Sequence, residues 1–106
     1  EGREERVVDI IKYINGHYAE VTLENLSENF NLSRPYISKY IKDKTGMNFQ
    51  DVVREARMRK ARTLLKESGH SVESIAADVG YESVEHFNRL FKKSYGITPV
   101  QFRVQK

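Results

Sequence analysis

A segment of the chain returns about fifty residues later, and this repeat constrains the fold more than any other feature. The letters TLE at 22–24 correspond to SVE at 71–73, a spacing of 49 residues. After one added residue the spacing becomes 50, so that Ile37 corresponds to Phe87 and Gly46 to Gly96. An internal repeat is the sequence signature of one structural unit used twice. The sequence predicts two copies of a short helix, a tight turn and a longer helix.

Apolar residues three and four positions apart predict helices along the whole chain, and no segment has the alternation of a strand. In the second copy, Phe87, Leu90, Phe91 and Tyr95 form one apolar stripe while the charged residues face elsewhere. The predicted fold is all-α, with about seven helices. They are expected to start at or just after Glu4, Thr22, Ser33, Asn48, Ser71, Ser83 and Thr98.

The predicted helix starts agree with capping chemistry. Asn48 with Asp51, and Thr98 with Gln101, have the three-residue spacing of a capping box. The helix that starts at Asn48 is the longest, and Gly69 is expected to stop it. The chain is therefore predicted to divide into a first subdomain at 1–47, a linker helix at 48–68 and a second subdomain at 69–106. The first helix should end near His17, with Val7 on its inner face.

Matched residues in the two turns favour a helix-turn-helix over an arbitrary helical hairpin. Ser27 and Ala76 are small at the place where the first helix must approach the second. Asn31 and Gly80 occupy the turn, and both residue types tolerate positive φ. In this motif the second helix enters the major groove and presents its early outward residues to base edges. The predicted linker helix has about twenty residues, or about 30 Å, close to the roughly 34 Å between successive major grooves. Two such helices could then lie in consecutive grooves.

Positive charge is concentrated in one part of the chain. Residues 1–31 carry three basic and seven acidic side chains, whereas residues 32–106 carry fifteen basic and eight acidic ones. A basic region commonly faces a polyanion, although charge alone is equally typical of a solvated helix surface.

Several function classes lack support in the sequence. There is no cysteine, hence no disulfide or thiolate metal site, and no apolar run long enough to cross a membrane. The three histidines lack partners at metal-binding spacing, and no Gly-rich phosphate loop or nucleophile arrangement is present. We expect a soluble, intracellular protein that is not an enzyme, has no cofactor or metal and does not contact a membrane. His86 is expected to pack partly against the preceding helix.

The stretch "SIAADVGYESVEHFNRLFKKSYGITPVQFR", Ser74 to Arg103, resembles the signature of the AraC/XylS family of bacterial transcription regulators. The preceding "RMRKARTLLKESGHSVESIA" is similar to the family's linker helix running into its second motif. The resemblance implies a double helix-turn-helix DNA-binding domain, normally the C-terminal part of a larger cytoplasmic regulator. It further implies an upstream effector-binding or receiver domain, contact with RNA polymerase and association with the nucleoid when bound to DNA. The Glu1 start agrees with a piece of a longer protein. The first recognition helix departs from the family at Pro35, Tyr36 and Lys39.

The outward positions of the two recognition helices supply the candidate contacts. Arg89 can pair bidentately with guanine, and Asn88 with adenine, while Glu85 can accept from cytosine N4 or exclude wrong sites. The structural alternative for Arg89 is a salt bridge to Glu85 at i, i+4. The predicted base contacts are Arg34, Ser38, Lys39, Glu85, Asn88 and Arg89. The predicted phosphate contacts are Lys42, Lys92, Lys93, Arg57 and Arg62.

The predicted function is sequence-specific binding of double-stranded DNA for transcription regulation. The alternative is a helical protein-interaction module whose basic face binds an acidic partner.

Overall fold

The computed structural model describes residues 2–105, with side chains from Val8 onward, and this part of the chain is helical without strands. The all-α prediction is confirmed. Val7 was predicted to face inward, but its side chain lies outside the described residues. The helices are α1 (Gly2–Gly16), α2 (Leu23–Phe30), α3 (Arg34–Thr45), α4 (Phe49–Glu67), α5 (Val72–Asp78), α6 (Val84–Tyr95) and α7 (Pro99–Val104).

The chain forms two compact units, Glu1–Ala56 and Arg57–Lys106. The core of the first unit is mainly aliphatic. Ile10, Ile14, Leu26, Ile37 and Ile41 have no exposed surface. They come from α1, α2 and α3, so the three helices share one core, against which the half-buried Phe49 also packs.

The second unit has an aromatic core. Phe87 and Phe91 are fully buried, with ring centroids 5.9 Å apart. Phe91 also contacts the rings of Tyr95, at 4.8 Å, and Phe102, at 5.7 Å. Met58 is 1% exposed in α4, a core position that was not predicted.

Phe102, in the short helix α7, is only half-buried. The edge of its ring packs against Phe91, while the ammonium group of Lys66 lies 4.8 Å from the ring centroid. A six-residue helix covers too little surface to bury the ring completely, so a cation covers part of it instead.

Both turns of the repeat contain a residue with positive φ and are closed by a hydrogen bond between matched positions. Asn31 has φ 55° and Gly80 φ 104°, the positive values predicted for the matched turn position. In the first turn the N–H of Leu32 donates to Ser27 O at 3.2 Å, and in the second the N–H of Tyr81 donates to Ala76 O at 2.9 Å. These are bonds of the type that closes a Schellman motif, and they reverse the chain sharply.

Caps define the helix starts largely as predicted. Asn48 accepts from the N–H of Asp51 at 2.8 Å, and α4 ends at Glu67 just before Gly69. Thr98 and Gln101 form both bonds of a capping box. The carboxylate of Asp51 accepts from Arg54 at 2.7 Å. Helix α1 ends at Gly16 rather than His17, whose ring stacks on Tyr13 at 4.0 Å.

Candidate nucleic-acid interface

Helices α3 and α6 are the second helices of the two copies, and serine caps start both of them. Ser33 accepts from the N–H of Tyr36 at 3.2 Å, and Ser83 accepts from the N–H of His86 at 3.1 Å. Helix α3 buries its apolar face through Ile37 and Ile41, and α6 buries its apolar face through Phe87 and Phe91. The opposite, polar face of each helix is therefore the candidate interface.

On α3 the structure places Arg34, Lys39 and Lys42 on the exposed surface, while Ser38 is half-buried. Lys39 donates to the carboxylate of Asp43 at 2.9 Å, and Lys42 reaches Gly46 O at 3.4 Å. Both bonds lie at the surface, where contacts to water or an anion can replace them at small cost.

On α6 the predicted contact residues Glu85, Arg89, Lys92 and Lys93 are exposed. The hydroxyl of Ser83 donates to Glu85 Oε1 at 3.2 Å, and Arg89 Nη2 lies 3.5 Å from His86 Nδ1. Glu85 and Arg89 form no ion pair with one another within the described residues. The structural alternative for Arg89 therefore has no support, and its guanidinium is available to an external acceptor.

Asn88 is less exposed than its predicted outward position implies. The residue is half-buried, and its Oδ1 is buried without a hydrogen-bond partner among the described residues. Bidentate pairing with adenine uses both the oxygen and the nitrogen of the amide. Asn88 must therefore rotate its side chain if it reads a base, and rotation would also satisfy the orphaned oxygen.

Arg57 contacts the second turn of the repeat. It is half-buried, with its guanidinium carbon 5.0 Å from the centroid of the Tyr81 ring and Nη1 donating to Gly80 O at 3.4 Å. Its contacts support the turn that precedes α6.

His86 is exposed, and its ring lies edge-on to Tyr81 at 5.7 Å. The predicted partial packing therefore involves the turn before α6 rather than helix α5.

Arg62 is exposed and lies over aromatic rings. Its guanidinium carbon is 4.9 Å from the centroid of Tyr95 and 5.9 Å from that of Phe102. The cation–π contacts hold the side chain in place without using its N–H donors in hydrogen bonds.

Arg103 was missed by the sequence interpretation. Its Nε donates to Leu65 O at 2.9 Å and its Nη2 to Ser68 O at 3.2 Å. The guanidinium thus binds carbonyls at the C-terminal end of α4, where the helix dipole favours a cation. The partners lie 38 and 35 residues away, so no local sequence signal indicates this role.

Neither a metal site nor a membrane-spanning helix is found in the described part of the chain. It contains no group of three side chains suited to a metal ion. None of its helices combines the length and the apolar character that a membrane crossing requires.

A family model described as a helix-turn-helix domain matches residues 26–105, which covers both turns, α3 and α6. The chain belongs to this family. It is a DNA-binding domain of the AraC/XylS type, and the function of the domain is sequence-specific DNA binding. The predicted family is confirmed.

Relatives and solved structures agree with this assignment. The HTH-type transcriptional activator RhaS of Escherichia fergusonii is 33% identical over 104 residues, which are 97% of this chain and 37% of RhaS. The C-terminal domain of AraT, a response regulator from Geobacillus stearothermophilus, is 35% identical with a TM-score of 0.85, covering 92% of this chain and 82% of the other.

An AraC-type regulator structure from Chromobacterium violaceum shares the fold. It has a TM-score of 0.90 at 21% identity and covers 98% of this chain and 94% of the other. The chain spans about a third of the length of the curated relatives it matches.

Proposed function

We propose that each unit inserts its second helix into a major groove, α3 in the first unit and α6 in the second. The observation that carries this proposal is the repeated, serine-capped helix whose exposed face is polar and mostly basic. An early polar residue on such a helix reaches base edges, and later cations reach the phosphate backbone.

The residues divide between these two tasks. Arg34, Ser38 and Lys39 in α3 contact bases, as do Glu85, Asn88 and Arg89 in α6. Lys42, Lys92 and Lys93 lie one turn further along and contact phosphates, which provides affinity without sequence information. Arg57 and Arg62 are weaker phosphate candidates, since both have contacts to aromatic rings within the second unit.

We propose further that segment 48–68 acts as a linker between subdomains 1–47 and 69–106. What supports this is the unbroken α4, whose nineteen residues extend about 28 Å at 1.5 Å per residue. Successive grooves on one face of DNA are about 34 Å apart. The two second helices then occupy neighbouring grooves on a single duplex.

The whole regulator is proposed to be a cytoplasmic bacterial protein that associates with the nucleoid when bound to DNA. RhaS is named an activator, and the matched segment is 37% of its length. AraT is named a response regulator, and the matched structure is its C-terminal domain. By analogy, this domain would work with an upstream effector-binding or receiver domain and with RNA polymerase, and it would catalyse no reaction.

The test is selection of bound duplexes from a random pool, followed by affinity measurements at two salt concentrations. A preferred sequence with two segments about one helical turn apart is expected, with affinity that falls steeply with salt. Inserting five base pairs between the segments turns the second segment to the opposite face of the duplex. The insertion should therefore abolish the affinity that the second segment adds. Equal affinity for all sequences would overturn base reading, and indifference to the insertion would overturn the linker proposal alone.

A basic module that binds an acidic protein partner would behave differently in the same experiment. It would bind duplexes weakly and without a preferred sequence, because phosphate attraction does not distinguish bases.

A further inference from the structure

Tyr36 is an apolar exception on the polar face of α3. It is 42% exposed, although it lies in the first turn of a helix whose other outward residues, apart from Pro35, are charged or polar. The other large apolar side chains that are exposed within the described residues are Val8, Val100 and Val104, all outside α3 and α6. The core does not explain an exposed ring at this position.

The ring of Tyr36 is held in a fixed position. It stacks nearly parallel to the ring of Tyr40, with centroids 5.7 Å apart and an interplanar angle of 17°. Tyr40 is 7% exposed and belongs to the core of the first unit, so it provides a rigid support. The N–H of Tyr36 is also fixed by the cap at Ser33. A group ordered before binding loses little entropy on contact with a ligand.

The surroundings of the ring suit the major groove. Tyr36 and Tyr40 line a shallow surface pocket together with Lys39, Asp43 and Lys44. The lysines suit phosphates, whereas the phenol ring suits an apolar group. Among the groups that base pairs present in the major groove, the apolar one is the C5-methyl of thymine.

We propose that Tyr36 contacts the 5-methyl group of a thymine in the groove occupied by α3 and thereby fixes the base preferred at that position. This inference rests on the proposed insertion of α3 into a major groove. The first turn of the second helix is the part of the motif that reaches base edges. Burying one methyl group against the ring contributes a discrimination of about three- to fivefold.

The second unit supplies a matched control. His86 occupies the position fifty residues after Tyr36, is exposed, and also follows a serine cap. Its ring is edge-on to Tyr81, and its Nδ1 lies 3.5 Å from Arg89 Nη2. A polar imidazole directed toward a guanidinium is not suited to a methyl group, so the two units should differ in their response to thymine methyls.

The experiment replaces each thymine of the selected duplex, one at a time, by deoxyuridine, which pairs identically but lacks the methyl group. Affinities are measured by fluorescence anisotropy at constant salt. For the unaltered protein, one substitution in the α3 segment should weaken binding by about three- to fivefold. Tyr36→Ala should bind the thymine and deoxyuridine duplexes equally. Tyr36→Phe and His86→Ala should keep the difference.

The outcomes separate this inference from the proposed function. A clear sequence preference without any deoxyuridine effect in the α3 segment would overturn the role of Tyr36 while leaving base reading by the domain intact. A deoxyuridine effect that persists unchanged in Tyr36→Ala would also overturn it, because another residue would then contact the methyl group. If Tyr36→Ala folds poorly, the scan with the unaltered protein still tests the proposal, because the absence of a methyl effect in the α3 segment overturns it.

Discussion

The Nζ of Lys39 lies 2.9 Å from Oδ2 of Asp43, one turn further along α3. The residue fifty positions after Asp43 is Lys93, so the second unit has a cation where the first has an acid. The side chains of the pair are 76% and 56% exposed, which leaves the interaction worth only about 0.3–0.5 kcal/mol. Asp43 therefore lowers the positive charge of α3, and its pairing with Lys39 adds little stability.

Asp43→Asn should strengthen DNA binding. The change removes an acid near the proposed interface and releases Lys39 for a phosphate or base. We expect higher affinity, a slope of log affinity against log salt that is steeper by about 0.9, as for one added phosphate contact, and an unchanged melting temperature. Asp9→Asn, at an exposed position in α1, makes the same change of net charge outside α3 and is the matched control. Equal effects of the two substitutions would show that only net charge matters.

Arg89→Ala should weaken binding to the preferred site by about 1–3 kcal/mol and relax the preference at one base pair. The reason is that the guanidinium is exposed and not paired with Glu85, so it can donate two bonds to guanine. Repeating the selection with the variant measures the relaxed position. Lys92→Ala should reduce affinity for every sequence alike, and the same behaviour by Arg89→Ala would assign Arg89 to a phosphate.

Arg57→Met and Arg62→Met should have different effects, the first mainly on stability and the second mainly on DNA binding. Arg57 is half-buried against Tyr81 and Gly80, so Arg57→Met should lower the free energy of unfolding by about 1 kcal/mol or more. Arg62 is exposed, so Arg62→Met should change stability less and reduce the salt dependence of DNA binding more. Urea unfolding and affinities at two salt concentrations measure both quantities. A larger loss of stability for Arg62→Met than for Arg57→Met would contradict the structural role of Arg57 and the phosphate role of Arg62.

Features set by neighbouring residues were predictable from the sequence. The caps at Ser33, Ser83 and Thr98 and the positive φ of Asn31 and Gly80 depend on interactions within a few positions, and the structure has all of them. The apolar stripes were equally predictable, because helical periodicity determines which residues share a face.

Features set by distant residues were not predictable. Arg103 binds carbonyls more than thirty positions away, and Arg57 contacts a ring in the turn before α6. Helical spacing alone also failed to show that the amide oxygen of Asn88 is buried, since Asn88 lies at the border of the polar face. The assignment of residues to bases or phosphates depends on DNA and stays a prediction.

Arg103→Met should destabilise the second unit by about 1.5–3 kcal/mol, the usual cost of losing hydrogen bonds from a charged donor. Two carbonyls at the end of α4 lose their partner, and the helix dipole loses a cation. Val104→Ala, at a neighbouring position that is 73% exposed, is the control and should have little effect. Urea unfolding followed by circular dichroism gives both values. Equal stability of the two variants would show that water replaces Arg103 at no cost.

Gly96→Ala should destabilise the protein through backbone strain alone. Gly96 ends α6 with φ 83°, a conformation that costs an L-residue about 1–2 kcal/mol, yet an added Cβ would meet no atom within 4 Å. Gly69 also has open space around it, but its φ is not in the left-handed region. Gly69→Ala should therefore be neutral or slightly stabilising, and Gly46→Ala, at φ 78° after α3, should resemble Gly96→Ala. Equal free energies of unfolding for the Gly69 and Gly96 variants would contradict the left-handed geometry at the end of α6.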